Sequence, residues 1–317
     1  MYHGAQADFN LTPSDPSIFT LVGIPGLEDA HIWISIPFCT CYVIGLFANF
    51  TILFIVGTEK VLHKPMYLLI CMLALTDVSM STCVMPKTLS IFWFKWKGIT
   101  LDGCLAQMFF FQAISIVHSS ILVTMAFDRY VAICNPLRYS TILTNARTVK
   151  LGLVGVIRAI VLFLPLPLLL RRQPFCANRL IQHTYCEHMA VAKLSCGDIT
   201  VNRIYGVVLA LVIVSGDLML IALSYILIIR ALLRISSKKA HQKALSTCTA
   251  HILVILMSYP FGLFASLSYR FGQGVAPYVH TIFSNIYFVT PPMFNPIVYG
   301  VNTKELREKV GKYLCRK

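Results

Sequence analysis

Asp128 and Arg129 stand side by side at the end of a long apolar run, Met125-Ala-Phe-Asp-Arg-Tyr-Val-Ala-Ile-Cys134. Charges near the bilayer are costly, so an adjacent acid–base pair at the rim of a membrane helix is a functional feature by default. The chemistry it suggests is electrostatic switching at a cytoplasmic face.

Three more polar side chains fall inside apolar runs. At about 1.5 Å of rise per residue, Asp77 lies roughly 16 Å above the cytoplasmic start of its span. By the same rise Asn49 lies about 12 Å, and Asn295 roughly 8–9 Å, above the cytoplasmic ends of theirs. An unpaired carboxylate at such depth is expensive, so a shared network with water is expected. The same residues also suit a brace between helices, at about 0.6 kcal/mol per contact. Pro260, Pro291, Pro292 and Pro296 break backbone hydrogen bonds, and the freed carbonyls need partners. Tyr259-Pro260 and Asn295-Pro296 are therefore places where inner halves could swing, or simply fixed kinks. Arg158 and Asp217 are further intramembrane charges with no assigned partner.

Long apolar helices must position these residues. The chain has 317 residues, 57% hydrophobic and only 13% charged. A soluble domain carries about a quarter charged residues. Seven runs approach or exceed the roughly 20 apolar residues needed to span a bilayer. They cover about 32–57, 66–92, 101–134, 147–170, 201–234, 239–268 and 277–300, followed by a short amphipathic helix over about 302–314. The expected fold is an all-α, seven-transmembrane bundle. Residues 1–31 form an outer tail, 32–300 the bundle and 301–317 a cytoplasmic tail. Residues 1–30 show no basic n-region or apolar h-region, so the first span is expected to act as its own insertion signal.

Of the 27 Lys and Arg, 17 fall on one side of these spans, nine on the other, and Arg158 within one. The basic side is cytoplasmic by the positive-inside rule, which places the N-terminus outside and the C-terminus inside. The net charge of +14 thus reads as topology and contact with anionic membrane lipids, not nucleic-acid binding. Asn10-Leu11-Thr12 is a glycosylation sequon in the outer tail; Asn49-Phe50-Thr51 lies within a span and is a chance match.

Four of the 11 cysteines, Cys104, Cys176, Cys186 and Cys196, lie at or beyond outer helix ends. An oxidising lumen lets them pair, in three possible connectivities. The others read as buried apolar residues or free thiols, and Cys315 as a palmitoylation site or a plain thiol. No nucleophile–base arrangement or metal-ligand set stands out, and His183, His188 and Cys186 lie together in a cysteine-bearing loop. The chain is expected to be no enzyme and to carry no metal or cofactor. A transporter is a distant alternative, disfavoured because no internal repeat divides the seven spans.

Several segments together carry a resemblance over essentially the whole chain. They are Pro65-Met-Tyr-Leu68, Met125 to Cys134, Ser224-Tyr225, Lys243-Ala-Leu-Ser-Thr-Cys248 with His251, and Pro292-Met-Phe-Asn-Pro-Ile-Val-Tyr299. The chain resembles the olfactory receptors among the rhodopsin-like G-protein-coupled receptors. Gly23-Ile-Pro-Gly-Leu-Glu28 and the long second outer loop resemble the class I, fish-like branch.

The resemblance implies Cys104–Cys186 and Cys176–Cys196 bridges and a plasma-membrane location. It implies a small odorant ligand and a heterotrimeric, stimulatory olfactory-type G protein that raises cyclic AMP. Arg129, between Asp128 and Tyr130, would hold the inactive state and later meet the G protein. Tyr225 and Tyr299 would partner it in the active state, with Asn295 and Pro296 part of the switch. His118 departs from the pattern: many relatives have Glu there, which with the span-two carboxylate can bind sodium, and the histidine puts sodium at Asp77 in doubt.

For the ligand, the third span has no carboxylate between Asp102 and Asp128, which argues against a biogenic amine. Arg270 ends the sixth span, and a guanidinium suits a carboxylate through two parallel charge-assisted hydrogen bonds. Class I receptors are associated with aliphatic acids. Ser266 and Gln112 would add polar contacts, Phe163, Gly206 and Ala210 would line the chain, and the floor would lie near Tyr259. The alternative within the superfamily is a receptor for an endogenous lipid or metabolite acid.

Overall fold

The computed structural model describes residues 18–234, 238–271 and 274–314. Seven long helices form the bundle: α1 (His31–Thr58), α2 (Pro65–Phe94), α3 (Leu101–Cys134), α4 (Asn145–Phe163), α5 (Thr200–Leu232), α6 (Lys238–Phe271) and α7 (Pro277–Asn302). An eighth, α8 (Lys304–Leu314), follows. A helix covers each predicted span, and a further helical piece, Pro165–Arg171, extends α4 beyond Leu164. Six of the helices are long and apolar enough to cross a membrane. Proline- and polar-rich α7 completes the ring by packing between α6 and α1. Large apolar side chains such as Phe47, Phe50, Phe54, Leu153 and Ile157 stay exposed, as lipid-facing surfaces should.

Local chemistry sets the helix ends. Thr100 caps α3 by accepting from the Gly103 N–H at 3.2 Å, and Thr144 caps α4 by accepting from Arg147 at 3.3 Å. Pro65 and Pro277 occupy the first turns of α2 and α7, where a missing N–H costs nothing.

Strands at one end of the bundle were not foreseen from the sequence. β1 (Ile18–Leu21) lies between β2 (Gly98–Thr100), antiparallel, and β3 (Leu180–Ile181), parallel. Alternation in β1 buries Phe19 and Leu21 over the helix ends and leaves Ile18 exposed. The described part of the expected tail is thus a packed lid. Its strands are two to four residues long, too short for a period to be read from sequence.

Two glycines mark close approaches. A Cβ at Gly45 would sit 3.3 Å from the Pro292 carbonyl of α7, and one at Gly155 would sit 2.9 Å from the Ser120 side chain. These approaches bring α1 to α7 and α4 to α3 at the polar contacts described next.

Candidate functional site

Asp77 is fully buried, and Asn295 Nδ2 donates to both its carboxylate oxygens at 3.1 and 3.0 Å. Asn49, expected in a shared network with these two and water, makes no direct hydrogen bond to either. Its Nδ2 donates to the Pro292 carbonyl at 2.8 Å and to the Gly45 carbonyl at 2.9 Å. The cause is Pro296: it has no N–H for the carbonyl four residues earlier. Asn49 supplies that bond from the neighbouring helix.

At the other end of the bundle from the lid, Arg129 and Asp128 are both buried, with Nη1 3.8 Å from Oδ2. Asp128 also accepts from Tyr139 Oη at 2.7 Å, and Arg129 Nη1 lies 2.9 Å from Met66 Sδ. Tyr225 Oη lies 2.9 Å from His251 Nδ1, and Tyr299 Oη points to Met125 Sδ at 3.8 Å. Tyr130 packs with Ile228 and Cys248. The described contacts place neither Tyr225 nor Tyr299 on Arg129; the pair with Asp128 is intact.

Towards the lid, a cavity of about 120 Å³ opens between α3, α5, α6 and α7. Gln112, Phe163, Ala210, Tyr259 and Ser266 all line it, as expected from sequence, and so does His118. Gly206 does not: it lies buried one turn from Ala210 and, without a side chain, presents nothing to the cavity. The Arg270 side chain lies outside the described residues, as do Asn10 and Cys315.

The floor carries a directed chain of polar contacts. Ser119 Oγ donates to Asp217 Oδ2, so its one proton is used. Tyr259 Oη, 2.8 Å from Ser119 Oγ, must then be the donor between those two. Asp217 Oδ1 is 2.8 Å from Arg158 Nη1, which also reaches Ser120 Oγ at 3.2 Å. The two unassigned charges are thus partners. Their contact joins α4 and α5 to the Tyr259 face of the cavity.

The second loop supplies lining residues that sequence reasoning missed, Tyr185 and Glu187. Cys104 and Cys186 are bonded, as are Cys176 and Cys196, so the first bridge holds the loop against α3. Adjacency to Cys186 was the available signal for both. Glu187 Oε2 accepts from the Ala190 N–H at 2.7 Å. Nearby His183 rests edge-on against Tyr185, and its burial pushes the imidazole down to about 3, leaving it neutral. Among the described residues no group of three or more His, Cys, Asp or Glu side chains is arranged to hold a metal.

Seven helices, with a cavity towards one end and an Asp-Arg pair at the other, make up a rhodopsin-type seven-helix fold. Squid rhodopsin superimposes with a TM-score of 0.74 over 96% of this chain and 91% of its own, at 16% identity, a likeness of fold. A family model described as olfactory receptor matches residues 38–317. Human olfactory receptor 52P1 is 50% identical over 95% of this chain and 94% of its own. Human olfactory receptor 52K1 is 48% identical over 97% and 98%, and rat olfactory receptor 51E2 is 48% identical over 92% and 91%. The chain belongs to the olfactory receptor family, and these relatives fit its class I branch. It is a multi-pass G-protein-coupled receptor with an odorant-receptor role, a small-molecule ligand and a heterotrimeric G-protein partner, and it is not an enzyme.

Proposed function

We propose that this receptor binds a small aliphatic carboxylic acid in the cavity and in response activates a stimulatory olfactory-type G protein, raising cyclic AMP. The observation that carries this reading is the make-up of the α6 wall. Tyr259, Gly262, Leu263 and Ser266 line the cavity in successive turns, and α6 continues to Phe271. Position 270 is one turn beyond Ser266, at the lid end of a mostly apolar slot. An arginine there suits the carboxylate head, and Phe163, Ala210 and Ile213 suit an alkyl tail.

The lid faces outward and Arg129 faces the cytoplasm, in keeping with the distribution of Lys and Arg. Residues 1–31, 32–300 and 301–317 act as outer segment, bundle and cytoplasmic tail. The acid draws the outer end of α6 inward and loosens its inner end, which releases Arg129 from Asp128 to meet Tyr225, Tyr299 and the G protein. A ligand drives this only by binding the active arrangement better.

The test is a cyclic AMP response in cells to an aliphatic acid series, alongside the matching alcohols and esters. Acids respond and neutral analogues do not; Arg270→Ala shifts potency at unchanged surface expression. An Arg270→Ala receptor with unshifted acid potency and normal surface expression rules the salt bridge out.

A further inference from the structure

Two buried polar atoms in residues that line the cavity beside its Tyr259 floor have no partner among the described residues. His118 Nε2 on α3 and Ser258 Oγ on α6 are 4% and 8% exposed by residue, and both residues line the cavity. Neither atom has a hydrogen-bond partner among the described residues, and they do not bond each other. The adjacent floor chain leaves them out: Tyr259, Ser119, Asp217 and Arg158 satisfy one another.

A buried serine in a membrane helix usually settles its hydroxyl on the carbonyl four residues back. The buried Ser81 and the half-buried Ser115 and Ser224 do so in this bundle. Ser258 does not. Buried polar groups left open cost free energy, and two beside one cavity point to an occupant that completes them.

We propose that His118 and Ser258 form a deep second subsite that takes an uncharged oxygen, a hydroxyl or carbonyl, at the ligand's far end. The ligand class is then an oxygenated aliphatic molecule, an ω-hydroxy or oxo acid in preference to a plain alkanoic acid. This rests on reading the cavity as the ligand site with its carboxylate anchor near Arg270. A neutral imidazole and a serine hydroxyl can each donate or accept, so a ligand hydroxyl can donate to one and accept from the other. Leu122, Ile213 and Val214 share the lining, and an apolar wall of this kind penalises an ionised tail but tolerates a neutral one.

The experiment measures affinity by ligand-induced thermal stabilisation of the purified full-length receptor, which does not depend on G-protein coupling. The probes are heptanoic acid, 6-hydroxyhexanoic acid, in which hydroxyl replaces the terminal methyl, and the methyl ester of each. The acid-to-ester comparison reports on the carboxylate anchor, and the hydroxyl-to-methyl ratio reports on the deep subsite. That ratio is expected to fall roughly tenfold, about 1.4 kcal/mol, in both Ser258→Ala and His118→Leu. Ser258→Ala, a small change, keeps the test open if His118→Leu does not express. A ratio unchanged in the variants overturns the subsite, as does a receptor that binds none of the four probes. Acids and esters of equal affinity overturn the carboxylate anchor alone, while the hydroxyl-to-methyl ratio still decides the subsite.

Discussion

Arg158 Nη1 on α4 lies 2.8 Å from Asp217 Oδ1 on α5, and Asp217 Oδ2 accepts from Ser119 on α3. Three helices thus share one carboxylate that is almost wholly buried. Removing one partner of a buried pair leaves an uncompensated charge, at a cost of about 3–5 kcal/mol. Arg158 keeps 29% of its side chain exposed, so the lower end of that range applies. Asp217→Ala should therefore lower thermal stability in detergent more than the double replacement Arg158→Met with Asp217→Leu. Equal melting temperatures for single and double variants would remove the ion pair's structural role.

Asn49 holds α1 to α7 through the carbonyl that Pro296 leaves open. Asn49→Ala deletes that bond and the one to Gly45. At about 0.6 kcal/mol for an average interhelical contact, the loss should be roughly 1 kcal/mol, measured by thermal unfolding. Restoring an N–H donor is impossible at a proline, but Pro296→Ala supplies one within α7. Asn49→Ala should therefore cost less in a Pro296→Ala background, and a strictly additive double-variant cycle contradicts the account.

Glu187 places a carboxylate in the lining of the proposed acid site. Like charges repel more strongly in a partly desolvated cavity than in water. Glu187→Gln keeps an oxygen to accept from Ala190 and removes the charge. Acid potency should rise roughly threefold to tenfold by that Coulomb argument, with neutral esters unaffected. Dose–response curves for a matched acid and ester check this, and a parallel gain for both excludes electrostatics as the cause.

Glu59, just past α1, accepts from Lys309 at 2.5 Å and from Tyr313 at 3.3 Å, which anchors α8. The hydrogen bond and charge of Lys309 hold the Glu59 carboxyl below its ordinary value of 4.5. A lowered folded-state pKa gives stability that is fully present above the unfolded value and lost as pH falls through the folded one. A spin label on α8 should therefore become more mobile on acidification below pH 4.5. Glu59→Gln should be mobile at neutral pH already. A label equally restrained in both proteins at pH 7 would show that α8 is held by other contacts.

The cavity wall was legible in part before the fold was seen. Gln112, Phe163, Ala210, Tyr259 and Ser266 share one lining; helical spacing puts Ser266 one turn below position 270, and the family resemblance suggested the others. Gly206 shares a helix face with Ala210 but, without a side chain, adds nothing to the lining. Glu187 and Tyr185 were missed because a loop has no period, and only the Cys104–Cys186 bond says where it folds back.

The sequence by itself determined the helices and the family. Apolar length, proline position and capping residues act locally, within one span or one turn, and so survive without a partner. Tertiary structure alone decided which polar groups meet. Arg158 and Asp217 are far apart in sequence, as are Asn49 and Pro292, and a buried charge or open carbonyl states only that it needs a partner. Close packing at Gly45 and Gly155 accompanies those pairings, while His118 Nε2 and Ser258 Oγ, in residues that line the cavity, have no partner among the described residues.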